Sequence, residues 1–164
     1  MKPQDIVVLT KLVSLDEPGF IQMELAQTLF MSQSEISASL ARSSYAGLLV
    51  HKGQEVNRDL FFYFIKYGLG VVFPQHPGPI VRGTLTAHSA PPLNAEILSD
   101  EPYVWPYAKG QARGQTILPL YPTVPQAVVL DHYLYELLAL LDAVRVGRVR
   151  EKNLALEILE KRIC

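Results

Sequence analysis

Ten of the twelve prolines in this chain lie between Pro74 and Pro125. Proline has no N–H to donate and its ring clashes with the preceding helical turn, so no long helix can cross that stretch. Long helices are confined to the flanks. The middle is still not a linker, because it keeps Trp105 and many aliphatic residues that must find a core. Two alternating runs survive within it, "PIVRGTLTA" and "ARGQTILPL". The second follows "YVWPYAKGQ", and together these predict a hairpin from Tyr103 to Leu120. Both runs contain Arg-Gly, at Arg82-Gly83 and Arg113-Gly114, an echo too short to be a repeat.

The N-terminal flank divides into helices. "KPQDIVVLTKLVSL" sets Ile6, Val7, Leu9, Leu12, Val13 and Leu15 mostly on one side of a helix, with Pro3 suited to its first turn, until "DEPG" breaks it. A second helix, about Gln22 to Phe30, turns Met23, Ala26, Leu29 and Phe30 inward. Ser32 with Glu35 three positions on predicts a reciprocal capping box, so a third helix begins at residue 33 and runs to about Ser44 through Ile36 and Leu40. Leu48 to His51 reads as a short extended piece. "NRDLFFYFIKYGLG" then resumes as a helix from an Asn57 cap, apolar almost all round, with Leu60, Phe61, Phe64, Ile65 and Leu69 as the expected central core.

At the other end, Leu134, Leu137, Leu138 and Leu141 keep helical spacing, and Gly147 is expected to divide that helix from one carrying Val149, Leu156, Leu159 and Ile163. The leucine stripe could serve a core or a dimer, and a dimer built partly from the tail is the expectation.

Nearly half of the 164 residues are apolar and mean hydropathy is +0.14, enough for a sizeable core. Fifteen basic against sixteen acidic residues give a net charge of -1, so any hold on nucleic acid must come from a local patch. Residues 1–50 carry only Lys2, Lys11 and Arg42 against five acidic residues. Cys164, the single cysteine, offers no intramolecular disulfide or cysteine zinc site, which fits a cytoplasmic home. No stretch reads as a signal peptide or membrane span. The four histidines (His51, His76, His88 and His132) lack ligand spacing, and there is no nucleophile elbow, P-loop or dinucleotide-binding glycine pattern. No enzyme, metal or cofactor is expected.

The stretch "ELAQTLFMSQSEISASL" therefore carries the functional reading. A recognition helix enters the major groove by its N-terminal turns while its other face packs on the helices before it. Gln33, Ser34 and Ser37 face outward there, the glutamine able to pair with an adenine edge and the serines to reach bases or phosphates. With the "YAGLL" that follows, these residues resemble the MarR-type winged-helix regulators over residues 3 to 50. The resemblance implies a dimeric transcriptional regulator with Gln33, Ser34, Ser37 and Arg42 at the DNA. This sequence departs from that pattern in three places. Phe30 stands where the family has glycine, which would reshape the turn. Ala38 replaces a frequent arginine, and "HKGQEVNRD" leaves room for a vestigial wing at most.

The expected fold is α+β, predominantly α. A winged-helix-like head spans residues 1–56, and residues 57–164 hold the buried helix, a proline-rich β cover and C-terminal interaction helices. The expected function is a sequence-specific DNA-binding regulator acting as a homodimer. The alternative is an antitoxin- or adaptor-like protein-interaction module with a vestigial head. Arg145, Arg148, Arg150 and Lys152, the most basic short stretch, read either as a solvated helix start with Glu151 mixed in or as a contact for phosphate or an acidic partner. Tyr103, Trp105 and Tyr107 alternate along one strand face and read as cover over the Phe61 helix, or else as a ligand or partner pocket.

Overall fold

The computed structural model describes all residues, Met1 to Cys164. Eight helices and a small sheet make an α+β chain that is predominantly α. The head has α1 (Pro3–Leu15), α2 (Gln22–Leu29) and α3 (Gln33–Tyr45), then a two-stranded ribbon of β1 (Leu49–Val50) and β2 (Glu55–Val56). Helix α4 (Arg58–Tyr67) and the short α5 (Leu69–Val72) follow, then β3 (Ile80–Leu85), β4 (Tyr103–Pro106) and β5 (Ala112–Thr116). A single turn, α6 (Val124–Ala127), leads to α7 (His132–Val146) and α8 (Val149–Ile163). The proline-rich middle contains no helix longer than α6, as its missing N–H groups require.

The molecule is organised around α7. Leu134, Leu137, Leu138, Leu140 and Leu141 are all buried, in one apolar cluster that includes Ile6 and Leu9 of α1, Phe61 and Ile65 of α4, Trp105 of β4, and Leu159 of α8. Residues on both sides of position 56 belong to this one core. The leucine stripe is therefore core and not free for a second copy, so the expected dimer face cannot be built from it. Helix α1 is buried from Asp5 to Val13 because α3 and α7 pack on it from different sides, and Leu15 emerges at its end. In α2 it is Leu25, Ala26 and Leu29 that turn inward, while Met23 and Phe30 stay exposed.

Helix α4 is not the expected all-round core helix. Phe61, Phe62 and Ile65 are buried, Phe64 is half-buried, and Leu60, Tyr63 and Tyr67 face outward because nothing packs on that side. The Asn57 cap forms, its side chain accepting from the Leu60 N–H at 3.2 Å.

The three strands close on themselves instead of making a hairpin. The first half of β3 pairs antiparallel with β5, and the second half with β4, so Gly83 stands opposite both Ala112 and Pro106. Strands β4 and β5 consequently run parallel, with Tyr103 beside Gln115 and Val104 beside Thr116. So tight a closure needs backbone-to-backbone approach. A Cβ on Gly83 would collide with the Trp105 carbonyl, and one on Gly114 with that of Pro102. The two glycines of the Arg-Gly pairs are thus where the strands touch.

The aromatic strand covers α7, not α4. Trp105 is buried with its ring edge-on to Tyr135, 5.8 Å between centroids, while Tyr103 and Tyr107 are only half-buried. The indole N–H donates to Asp142 of α7, which also accepts from Thr86 Oγ1 at 2.8 Å and from Arg145 at 2.8 Å. Burial pushes the Asp142 carboxyl above its ordinary range, opposed by the Arg145 charge and those hydrogen bonds. No helix is long and apolar enough to cross a membrane.

Candidate nucleic-acid interface

The turn between α2 and α3 keeps the left-handed step that glycine would supply. Phe30 has φ 54° and ψ 43°, and its N–H closes the end of α2 on the Ala26 and Gln27 carbonyls. Met31 donates to the Ala26 carbonyl at 3.0 Å, and Thr123 donates to the Leu29 carbonyl at 2.7 Å. The missing glycine has therefore not reshaped the turn. Hydrogen bonds from within the turn and from Thr123 outside it hold the strained conformer in place.

Ser32 caps α3, accepting from the Glu35 N–H at 3.1 Å. The expected return bond from Glu35 to Ser32 is not made. The Glu35 carboxylate instead accepts from Gln4 Nε2 at 2.8 Å and Arg42 Nη2 at 3.2 Å. The Gln4 hydrogen bond does most to hold its carboxyl below the usual range, with Arg42 adding to it. The only acid in the first turns of α3 is thus drawn toward α1, off the outer face.

That outer face presents Gln33, Ser34 and Ser37, all exposed, on one side of the helix start. Ser34 Oγ lies 3.1 Å from Ser32 Oγ. The face continues through Ala41, Ser44 and Tyr45, the last 98% exposed. Sequence reasoning missed Ser44 and Tyr45, although their three- and four-residue offsets from Ala41 place them there.

Arg42 is not on this face. Its guanidinium forks onto Asp5 of α1 at 2.7 to 3.2 Å and reaches Glu35 as well. Asp5 is 0% exposed. Burial alone would raise its carboxyl, but hydrogen bonds from Arg42 and the Lys2 N–H, with the Arg42 charge, bring it below the ordinary value. The expected phosphate contact is a structural ion pair joining α1 to α3, because a buried carboxylate there requires a partner.

After α3, a real if short wing exists. Strands β1 and β2 pair through Leu49 with Val56 and Val50 with Glu55. His51, Lys52 and Gly53 at its tip all have positive φ, and Lys52 is exposed. Sequence reasoning overlooked this cation.

The basic tail does not stay together. The Arg145 side chain is 5% exposed and bonded to Asp142 and to the Phe73 carbonyl, so it belongs to the interior and not to a contact surface. Arg148 is exposed, 3.9 Å from Glu101, and Arg150 is exposed beside it, while Lys152 is half-buried. The 15 residues of α7 lie between this group and Asp131, where α7 meets the head through Lys11 at 2.6 Å. At ~1.5 Å per residue that is roughly 22 Å.

Beneath the α2–α3 turn lies a cleft of about 530 Å³. Gln27, Thr28 and Phe30 line it from the head, Tyr107 and Lys109 from the β4–β5 turn, and the Lys11–Asp131 pair also borders it. No family model, curated protein or solved structure matches this chain.

Proposed function

We propose that the protein is a sequence-specific, DNA-binding transcriptional regulator of the MarR-like winged-helix type. One observation carries this reading: α3 begins with an exposed, uncharged hydrogen-bonding face of Gln33, Ser34 and Ser37, from which Glu35 has been withdrawn onto Gln4 and Arg42. A carboxylate left on that face would repel phosphate, whereas amide and hydroxyl groups can read base edges. The order of three helices and a ribbon supports the same reading. The experiment is selection of bound duplexes from a randomised pool, repeated with Gln33→Ala/Ser37→Ala. The native protein is expected to enrich a motif, and the variant to relax one position by ~1–3 kcal/mol. A pool without enrichment refutes the reading.

The regulator acts as a homodimer, since operators are read by two-fold pairs. With the tail stripe buried, a face suited to the dimer is that of α4, where Leu60, Tyr63 and Tyr67 are exposed on one helix. Asp59 and Lys66, both exposed, flank Tyr63. Two copies crossing antiparallel about Tyr63 set each Lys66 beside the other copy's Asp59. Sedimentation is expected to show a dimer that Tyr63→Glu dissociates. A native protein that stays at 18.3 kDa at tens of micromolar removes the dimer.

A second reading, a protein-interaction module with a vestigial head, is favoured by one fact. Of the head's four lysine and arginine cations, Lys11 and Arg42 are held in ion pairs and only Lys2 and Lys52 are free. It predicts no salt-steep DNA binding.

A further inference from the structure

A DNA-reading head whose only unpaired lysine and arginine side chains are Lys2 and Lys52 needs further phosphate contacts from elsewhere, because neutralising the backbone supplies much of the affinity of such complexes. The tail cluster is poorly placed. It lies the length of α7 from the head junction, Arg145 is buried, and Arg148 stands against Glu101.

The β unit is different. From Leu60 to Ala95 and from Pro102 to Leu130 the chain contains no aspartate or glutamate. Within those spans the three strands and their connecting turn carry Arg82, Lys109 and Arg113, all exposed, and none of them forms an ion pair. Arg82 and Arg113 are register partners across β3 and β5. Side chains directly opposite on antiparallel strands start about 5 Å apart, and like charges there are unfavourable until an anion lies between them. The glycine contacts at Gly83, Gly110 and Gly114 hold the strands and the turn rigidly together, and the Tyr107 N–H donates to the Arg82 carbonyl at 3.2 Å. Lys109 therefore stands over the same sheet end. It also lines the cleft shared with Gln27, Thr28 and Phe30, which puts this charge next to the turn that leads into Gln33.

We propose that Arg82, Lys109 and Arg113 form a phosphate-binding face that grips the duplex backbone beside the α2–α3 turn. Guanidinium forks match phosphate oxygens in pairs, and the lysine adds a point charge. This inference rests on the DNA reading and names where its electrostatic hold comes from.

The test is fluorescence anisotropy of a labelled duplex over a salt series, with native protein, Arg82→Gln/Lys109→Gln/Arg113→Gln, and Arg148→Gln/Arg150→Gln/Lys152→Gln. Releasing one phosphate from the protein's grip flattens the plot of log K against log salt by ~0.9. The β-unit variant should flatten it by up to ~2.7 per protomer without changing the motif selected from a randomised pool, and the tail variant should match the native protein. All six positions lie at the surface or half-buried, and unchanged thermal melting confirms that the variants fold. If the motif is selected but the β-unit variant keeps the native slope, the phosphate face is refuted while the DNA reading stands. If the slope depends on the β unit but no motif emerges, the phosphate face stands and sequence-specific regulation fails. Absence of duplex binding at low salt overturns both. Vesicles rich in phosphatidylserine that bind the native protein more tightly than duplex, and lose it in the β-unit variant, would assign the patch to a membrane surface and overturn the proposal.

Discussion

In the head, Arg42 forks onto a carboxylate that water does not reach, and Lys11 lies 2.6 Å from Asp131. In the β unit, Arg82 and Arg113 stand side by side in water with no counter-charge. The head is the part proposed to read DNA, yet two of its four cations, Lys11 and Arg42, hold helices together. The β unit resembles nothing of the kind, yet its cations are free. The difference teaches that, on the proposed reading, recognition and electrostatic hold would reside in different segments. A charge counted in sequence is available to a partner only if the fold has not already used it.

The largest effect that could break this contrast is on stability. Arg42→Ala strips the partner from a buried carboxylate and is expected to cost about 3 kcal/mol in urea unfolding, the low end for a buried pair because the Arg42 side chain is 27% exposed. A loss below about 1 kcal/mol would return Arg42 to the surface cations.

Acid should reveal the same pair. The Asp5 carboxyl lies below its ordinary 3.8 in the fold, so the unfolded chain takes up its proton first as pH falls. Its contribution is complete above 3.8 and is lost as pH drops through the lower, folded value. Asp5→Asn should therefore show a shallower fall in stability below pH 3.8 than the native protein. Equal slopes would sever Asp5 from Arg42 energetically.

The turn where the two regions meet gives a smaller effect. Phe30 is left-handed and 49% exposed, so its replacement reports mainly on backbone strain. Phe30→Val is expected to be about 1–2 kcal/mol less stable than Phe30→Gly in thermal melting. Indistinguishable variants would mean that the turn relaxes away from its positive φ.

Smallest of all, Arg82→Gln or Arg113→Gln should change stability by no more than about 0.5 kcal/mol, and upward if at all, since each relieves a like-charge neighbour. A loss above about 1 kcal/mol would make these arginines structural, and the contrast with Arg42 would collapse.

What the sequence made legible followed from local rules. Ser32 and Asn57 announced their helices because a side-chain cap acts within three residues, and Gly147 marked the α7–α8 break, where a Cβ would collide with the Ala143 carbonyl. Gln33, Ser34 and Ser37 emerged on the surface because helical period alone places them. The failures were matters of partnership. Nothing near Arg42 in sequence points to Asp5, 37 positions away. The hydrophobic look of α4 does not tell which sides receive neighbours, and the leucines of α7 suit a core as well as a dimer. Strand pairing was missed because alternation gives the period of a strand but not its partner. The acid-free spans around Arg82, Lys109 and Arg113 were visible in the sequence, but only the closure of β3, β4 and β5 gives them one location.

Asp142 has a consequence for how the molecule opens. Proline-rich covers ordinarily detach first, since they carry few backbone hydrogen bonds and little core. Here Thr86 and Trp105 fasten the sheet to a carboxylate in the middle of α7, and peeling the sheet away would leave that carboxylate and its bound Arg145 in a ruptured interior. Detachment and loss of the central helix become a single event. Amide protons within β3 and β4 should then exchange with solvent as slowly as those of α7, and no protease-resistant remnant should retain one without the other.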